Sequence, residues 1–239
     1  MLALWLAAFC FGEKEDITME LKFTFLDTYW PYYVEGVKIT IVFSIFAVIF
    51  GIILGIALAL MKLSKLRVLR AVAISYINFV RGTPILVQIY IVYFGLYSFG
   101  INLADSTAGV AALAINSGAY VAEIVRAGIE SVDKGQIEAA RSLGMSHAAT
   151  TRLLVIPQAI KNILPALCNE LIVVTKNTSM LSIIGIHDLM YNTDTIRGNT
   201  LLAFEPLIIA AIIYFTISYV LTKLVAALER RLKTSDDRG

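Results

Sequence analysis

Charge is scarce in this sequence. Of 239 residues, 16% are Asp, Glu, Lys or Arg, against about 25% in a soluble domain. Hydrophobic residues make up 58%, and mean hydropathy is +0.77. A shortage of this size excludes an ordinary soluble globule and points to lipid as the solvent. The net charge of +2 leaves no global basic field, so nucleic acid is not an expected partner. Cysteine and histidine are nearly absent. Cys10 and Cys168 have no C-x-x-C spacing, and His147 and His187 lie far apart. A zinc site needs three or four converging ligands, so no metal site is expected. The motifs G-x-x-x-x-G-K-[ST], H-E-x-x-H and G-x-S-x-G are missing. The chain therefore has no loop for hydrolysing ATP itself, and no catalytic residue is expected.

Long apolar runs are what the sequence has instead. Residues 39–61 form an uncharged run bracketed by Lys38 and Lys62, long enough to cross a bilayer as a helix. Gly51 and Gly55 inside it form G-x-x-x-G, which permits close approach of another helix. A second uncharged run covers 82–104. It follows the apolar stretch 68–80 and the sequence Arg81-Gly82-Thr83-Pro84. Pro84 lacks an N–H and disfavours helix at Thr83, so one long element, kinked or broken there, is expected. A third span starts at Ser106 and contains Asn116, Ser117, Tyr120 and Glu123. A fourth carries Glu170 and Lys176, and a fifth starts near Pro206. The expected fold is an all-α, polytopic membrane helix bundle. Its five core spans fall at about 36–61, 68–100, 106–130, 158–190 and 205–229, within a single transmembrane domain over 21–239.

The first twelve residues are apolar but too short to span, and no Lys or Arg precedes Lys14. This is not the pattern of a secretory signal. Met19 follows an acidic stretch and is a candidate natural start, which makes residues 1–20 an extension outside the domain. An uncleaved interfacial segment is the competing reading.

Basic residues cluster on one side. Lys62, Lys65, Arg67 and Arg70 follow the first span. Arg126, Lys134, Arg141, Arg152 and Lys161 lie between the third and fourth, and Arg230, Arg231, Lys233 and Arg238 end the chain. With five spans all three groups fall on the cytoplasmic side. The N-terminus is then outside and the C-terminus inside. The aromatic group from Phe23 to Tyr33 reads as an interfacial belt at the outer surface.

The segment 135–147, Gly135-Gln136-Ile137-Glu138-Ala139-Ala140-Arg141-Ser142-Leu143-Gly144-Met145-Ser146-His147, lies between spans three and four. Most of its residues are good helix formers. Gly144 suits a left-handed helix end, and Ser146 suits the N-cap of the next helix. Small Ala139 and Ala140 leave room for a partner, while Glu138 and Arg141 offer charged contacts.

That segment resembles the EAA loop of binding-protein-dependent ABC transporter permeases, which reads E-A-A, three residues, G, nine residues, then I-x-L-P. Glu138, Ala139, Ala140, Gly144 and Pro157 match, with Leu154 and Ile156 as conservative replacements. Arg81–Pro84, Ala119–Arg126, Asn169–Ile172 and Lys176–Ser179 resemble the polar amino acid (histidine/glutamine-type) branch. The resemblance covers about residues 22–232. It implies a type I importer permease fold in the inner membrane and a second permease subunit, identical or similar. It also implies a pair of ABC ATPase subunits that bind ATP and Mg, and an extracytoplasmic amino-acid-binding protein. Glu138, Ala139, Ala140 and Gly144 would then carry the coupling to the ATPase.

Ionisable groups at membrane depth are costly and usually face a cavity or one another. An amino acid zwitterion needs an anionic partner for its ammonium, and a cation or helix N-terminus for its carboxylate. Glu170 and Asn116 are candidates for the ammonium. Arg81, or a broken helix end beside it, is the candidate for the carboxylate. Tyr120 would line the pocket, Glu123 is a further acidic candidate, and Asp188 is placed to select a basic side chain. The alternative is that Glu170–Lys176 or Glu123–Arg126 is a structural ion pair that fixes helix register. An ion-gradient-driven secondary transporter is the competing function, although no internal repeat of the kind such carriers show is evident.

Overall fold

The computed structural model describes residues 21–234, all of whose regular elements are helical. The extension at 1–20, with Cys10 and Met19, lies outside the described residues.

The first helix, α1, runs Leu26–Leu63. At 38 residues it is about 57 Å long, nearly twice a bilayer core. It starts ten residues ahead of the expected span and carries Pro31 within its opening turns, so the aromatic belt is itself helical. Ser64–Leu66 turns the chain into α2, Arg67–Gly82. Helix α3 follows over Ile85–Ser98, bent 112° from α2. The break falls at Thr83-Pro84, where the sequence predicts it. Within α3, Ile91–Gly95 is a π-helical turn.

Helix α4 is Asp105–Glu130, close to the expected third span. A short helix α5, Lys134–Ser142, follows. The next helix opens as α6, His147–Thr150, passes a π-helical turn at Thr151–Val155, and continues as α7, Ile156–Asn177. The expected fourth span reaches to about 190. The chain instead tightens into a 3₁₀ turn at Thr178–Ile184 and stops at Gly185, whose φ is +81°. Left-handed backbone of this kind ends a helix and favours glycine. A further helix, α8, Leu189–Thr200, starts from the Asp188 N-cap, and α9, Glu205–Thr234, ends the described chain. By length and apolarity alone, α1, α4 and α9 qualify as spans, and the bent α2–α3 pair makes a fourth. Helix α7 has the length of a span but carries Lys161, Asn162, Asn169, Glu170 and Lys176.

Packing centres on α1 against α4. Gly51 and Gly55 put the α1 backbone directly on α4. A Cβ at Gly55 would lie 2.5 Å from Val121, and one at Gly51 would lie 2.9 Å from Ser117. The contact is reciprocal, because a Cβ at Gly118 would lie 2.8 Å from Leu54. In lipid, close van der Waals contact of this kind is a main source of helix association. One core cluster joins Ala47, Ile89, Leu113 and Leu181. A second joins Leu58, Ile77, Val121 and Val125. A third holds Tyr33, Leu189, Ile196 and Ala210, where α8 docks across α1 and α9. Ile45, Phe46, Ile49, Phe50 and Ile53 on α1, and Ile212, Phe215 and Leu224 on α9, stay exposed. Continuous apolar surface of this extent suits hydrocarbon rather than water.

Candidate functional site

Two places carry chemistry. The first is the segment around α5. Asp133 caps it, accepting from Gln136 N–H at 3.0 Å. Gly144 ends it at φ +86°, with Gly144 N–H donating to Arg141 O at 3.0 Å and Met145 N–H to Ala140 O at 3.1 Å. This paired bonding closes the last turn. Ser146 caps α6, as the sequence predicts. Among the residues matching the EAA pattern, Ala140 is buried and turned inward, while Glu138, Ala139 and Gly144 are exposed. Leu143 is 86% exposed. The inner side of α5 is fixed by Val132, Val155 and Ala159, with Ile137 packed on them. Two side-chain bonds reinforce it: Gln158 to Gln136 at 2.7 Å, and Asn162 to Ser131 at 2.9 Å. The result is a firmly seated helix with a free outer face holding a carboxylate, an alanine and an apolar tip.

The second place is a polar system inside the bundle, which the structure divides in two. Glu123 is a charge hub. It accepts from Lys62 at the end of α1 and, at 2.9 Å and 3.0 Å, from Arg126. Arg81 at the end of α2 stands 4.0 Å away, and Arg126 also pairs with Glu130. The expected Glu123–Arg126 pair is therefore present, within a network that ties α1, α2 and α4 together. Arg81 keeps much of its surface open and lies over the Tyr120 ring, 5.4 Å from its centroid. Arg81 and Tyr120, both substrate candidates from the sequence, are thus in contact.

Deeper in, Asn116 donates to the Gln88 side chain at 2.9 Å. Gln88 in turn donates to Val80 O at 2.7 Å, Thr83 O at 3.0 Å and Thr83 Oγ1 at 2.9 Å. Pro84 cannot donate to the Val80 carbonyl four residues back, and the Gln88 amide takes over that bond. Asn116 keeps its own carbonyl oxygen as an acceptor. Beside it Ser117 is wholly buried, and its hydroxyl meets no partner at hydrogen-bonding geometry among the described residues, although the Glu170 carboxyl lies close. Glu170 is itself buried at 7% exposure and forms no ion pair among the described residues. The expected Glu170–Lys176 pair is absent there, and Lys176 faces outward. Asn116 and Glu170 thus offer acceptors to a donor in the bundle interior.

Asp188 stands apart. It is 1% exposed, caps α8 through Tyr191 N–H at 2.9 Å, and accepts from Tyr214 Oη at 3.3 Å. Its carboxylate joins α8 to α9. Sequence reading missed Gln88 and Lys62. A lone amide four residues after Pro84 in an apolar run was the available signal for Gln88. Nothing local marks Lys62 as the partner of a glutamate 61 residues away.

Known proteins resemble this chain over most of its length. The arginine transport system permease protein ArtQ of Bacillus subtilis (strain 168) is 42% identical over 219 residues, 91% of this chain and all of that one. A putative glutamine transport system permease protein GlnP of Rickettsia conorii is 39% identical, covering 88% of this chain and 98% of its own. Among solved structures, an amino acid ABC transporter crystallised with histidines matches at TM-score 0.86 and 50% identity, covering 89% of this chain and all of that one. Residues 47–234 match the profile of one family. The chain belongs to the binding-protein-dependent transport system inner membrane components.

Proposed function

We propose that this chain is the permease subunit of an ATP-driven importer of amino acids. In this reading it lines the translocation path and couples to a separate ATPase through α5. The observation that carries the reading is α5 itself. It is seated rigidly from within and presents Glu138, Ala139 and Leu143 outward. A carrier driven only by an ion gradient has no use for such a docking knob, and the relatives found give that alternative no support. The partners are a pair of ABC ATPases binding ATP and Mg, a second permease subunit and an extracytoplasmic binding protein. The basic ends of the helices, including α5, face the cytoplasm, with the N-terminus outside.

Within the bundle, Glu170 and Asn116 meet the substrate ammonium. Arg81 over Tyr120 meets its carboxylate. Glu123 holds Arg81 in place as a positioning residue. The printed names of relatives, an arginine and a putative glutamine permease, support an amino acid as the cargo.

The test is a mild-detergent pull-down of tagged protein from its native membrane, followed by mass spectrometry. Recovery of an ATPase with a G-x-x-x-x-G-K-[ST] loop supports the importer. Recovery of this chain alone, still transporting in liposomes under an ion gradient without ATP, overturns it.

A further inference from the structure

The exposed apolar face of α1 does not stop where the helix ends. Ile53 is 62% exposed and Leu60 61%, and the surface continues across the turn through Leu63 and Leu66 to Val68 at 74%. On α2 it continues as Val68, Val72 and Phe79, spaced four and seven residues apart and so on one face. The opposite face of α2 is buried, with Ala73 and Ile77 at zero exposure and Val80 nearly so. Exposed apolar surface of this length suits hydrocarbon, and a medium that covers α1 also reaches this turn. The turn is then where hydrocarbon gives way to headgroups.

Lys65, Arg67 and Arg70 stand at that level, all exposed. None has an ion pair among the described residues, whereas Lys62, Arg81 and Arg126 close by surround Glu123. Glu130, the other acid there, is taken by Arg126. Among the described residues, the three outer cations therefore have no carboxylate paired with them. Long basic side chains of this kind can lay their aliphatic stems along apolar surface while the charged ends reach outward. A basic amphipathic helix at the bilayer edge attracts anionic headgroups.

We infer that the α1–α2 turn is a binding site for anionic phospholipid, with Lys65, Arg67 and Arg70 holding the phosphate and Leu66, Val68 and Val72 lying against the acyl chains. The site is independent of what the protein transports.

The test measures lipid binding to the purified, detergent-solubilised protein with any co-purifying subunits, by native mass spectrometry. The probes are dioleoylphosphatidylglycerol and the neutral dioleoylphosphatidylcholine. The combined variant Lys65→Gln, Arg67→Gln, Arg70→Gln should weaken phosphatidylglycerol binding about fivefold per charge, on the order of a hundredfold in total. Phosphatidylcholine binding should stay as it was. Should the triple variant fail to insert, Arg70→Gln alone should still show the roughly fivefold loss. The charge-preserving Arg67→Lys, Arg70→Lys pair should bind as the parent does. Unchanged phosphatidylglycerol affinity, or equal loss for both lipids, overturns the inference. So does retained lipid binding with loss of a co-purifying protein, which would assign the patch to that protein instead.

Discussion

Asn116 on α4 donates to the side chain of Gln88 on α3 at 2.9 Å, and the same Gln88 caps the Val80 carbonyl at 2.7 Å. One amide thus closes the break that Pro84 opens and anchors it to the neighbouring helix. The 112° bend is held by side-chain bonds, since proline denies the backbone its own.

Gln88→Leu should leave the Val80 carbonyl and the Asn116 amide without partners. The expected cost is about 1–3 kcal/mol, read as a lowered thermal midpoint of the detergent-solubilised protein. Adding Asn116→Leu should cost less than the sum of the single changes, because both remove the same bond. Strict additivity would show that the two amides act independently.

The α1–α4 contact should be sensitive to volume at Gly55. A Cβ there would meet Val121 at 2.5 Å, so Gly55→Ala should destabilise by about 1–3 kcal/mol through overpacking. Val121→Ala added to it should restore much of the loss, and the paired thermal midpoints check this. Tolerance of Gly55→Leu at full stability would mean that the helices do not depend on this approach.

Glu123→Gln should leave Lys62 and Arg81 without an ion pair among the described residues and Arg126 with Glu130 alone. Removing one partner from a partly buried charge network leaves cations uncompensated. A loss of about 2 kcal/mol or more is expected, together with lower steady-state protein in the membrane. Lys62→Met alone should be milder, since Arg126 still neutralises Glu123. Quantitative blotting of membrane fractions separates the two.

Glu170→Gln keeps the shape of the side chain and removes its charge. If the carboxylate meets the substrate ammonium, the KM for transport should rise by about tenfold or more while the thermal midpoint holds. An unchanged KM would assign Glu170 to the scaffold.

Glu138→Lys reverses the charge on the outer face of α5 without touching its buried side. Insertion should be normal, and substrate-stimulated ATP hydrolysis in the assembled complex should fall by about tenfold or more. Full stimulation would move the docking contact elsewhere.

Local chemistry made much of this molecule readable before any coordinates. Uncharged runs of helical length, the Thr83-Pro84 break, the left-handed Gly144 and the Ser146 cap each depend on residues within a few positions of one another. The same holds for the EAA pattern, whose fit rests on spacing along one segment. The position of Lys62 against Glu123 depends on how two helices cross, and so does the fit of Gly55 against Val121. Asp188 shows the limit most clearly. As a sequence it is an acid near the end of a span, open to any role. Only the fold, by ending the helix at Gly185 and starting α8, turns that carboxylate into a cap bonded to Tyr191 and Tyr214. The sequence by itself determined that the chain carries apolar runs long enough to cross a membrane, that a break falls at Thr83-Pro84 and which segment carries the EAA pattern. The tertiary structure alone decided which polar groups meet inside the bundle, because those pairings join residues far apart in the chain and no local pattern encodes them.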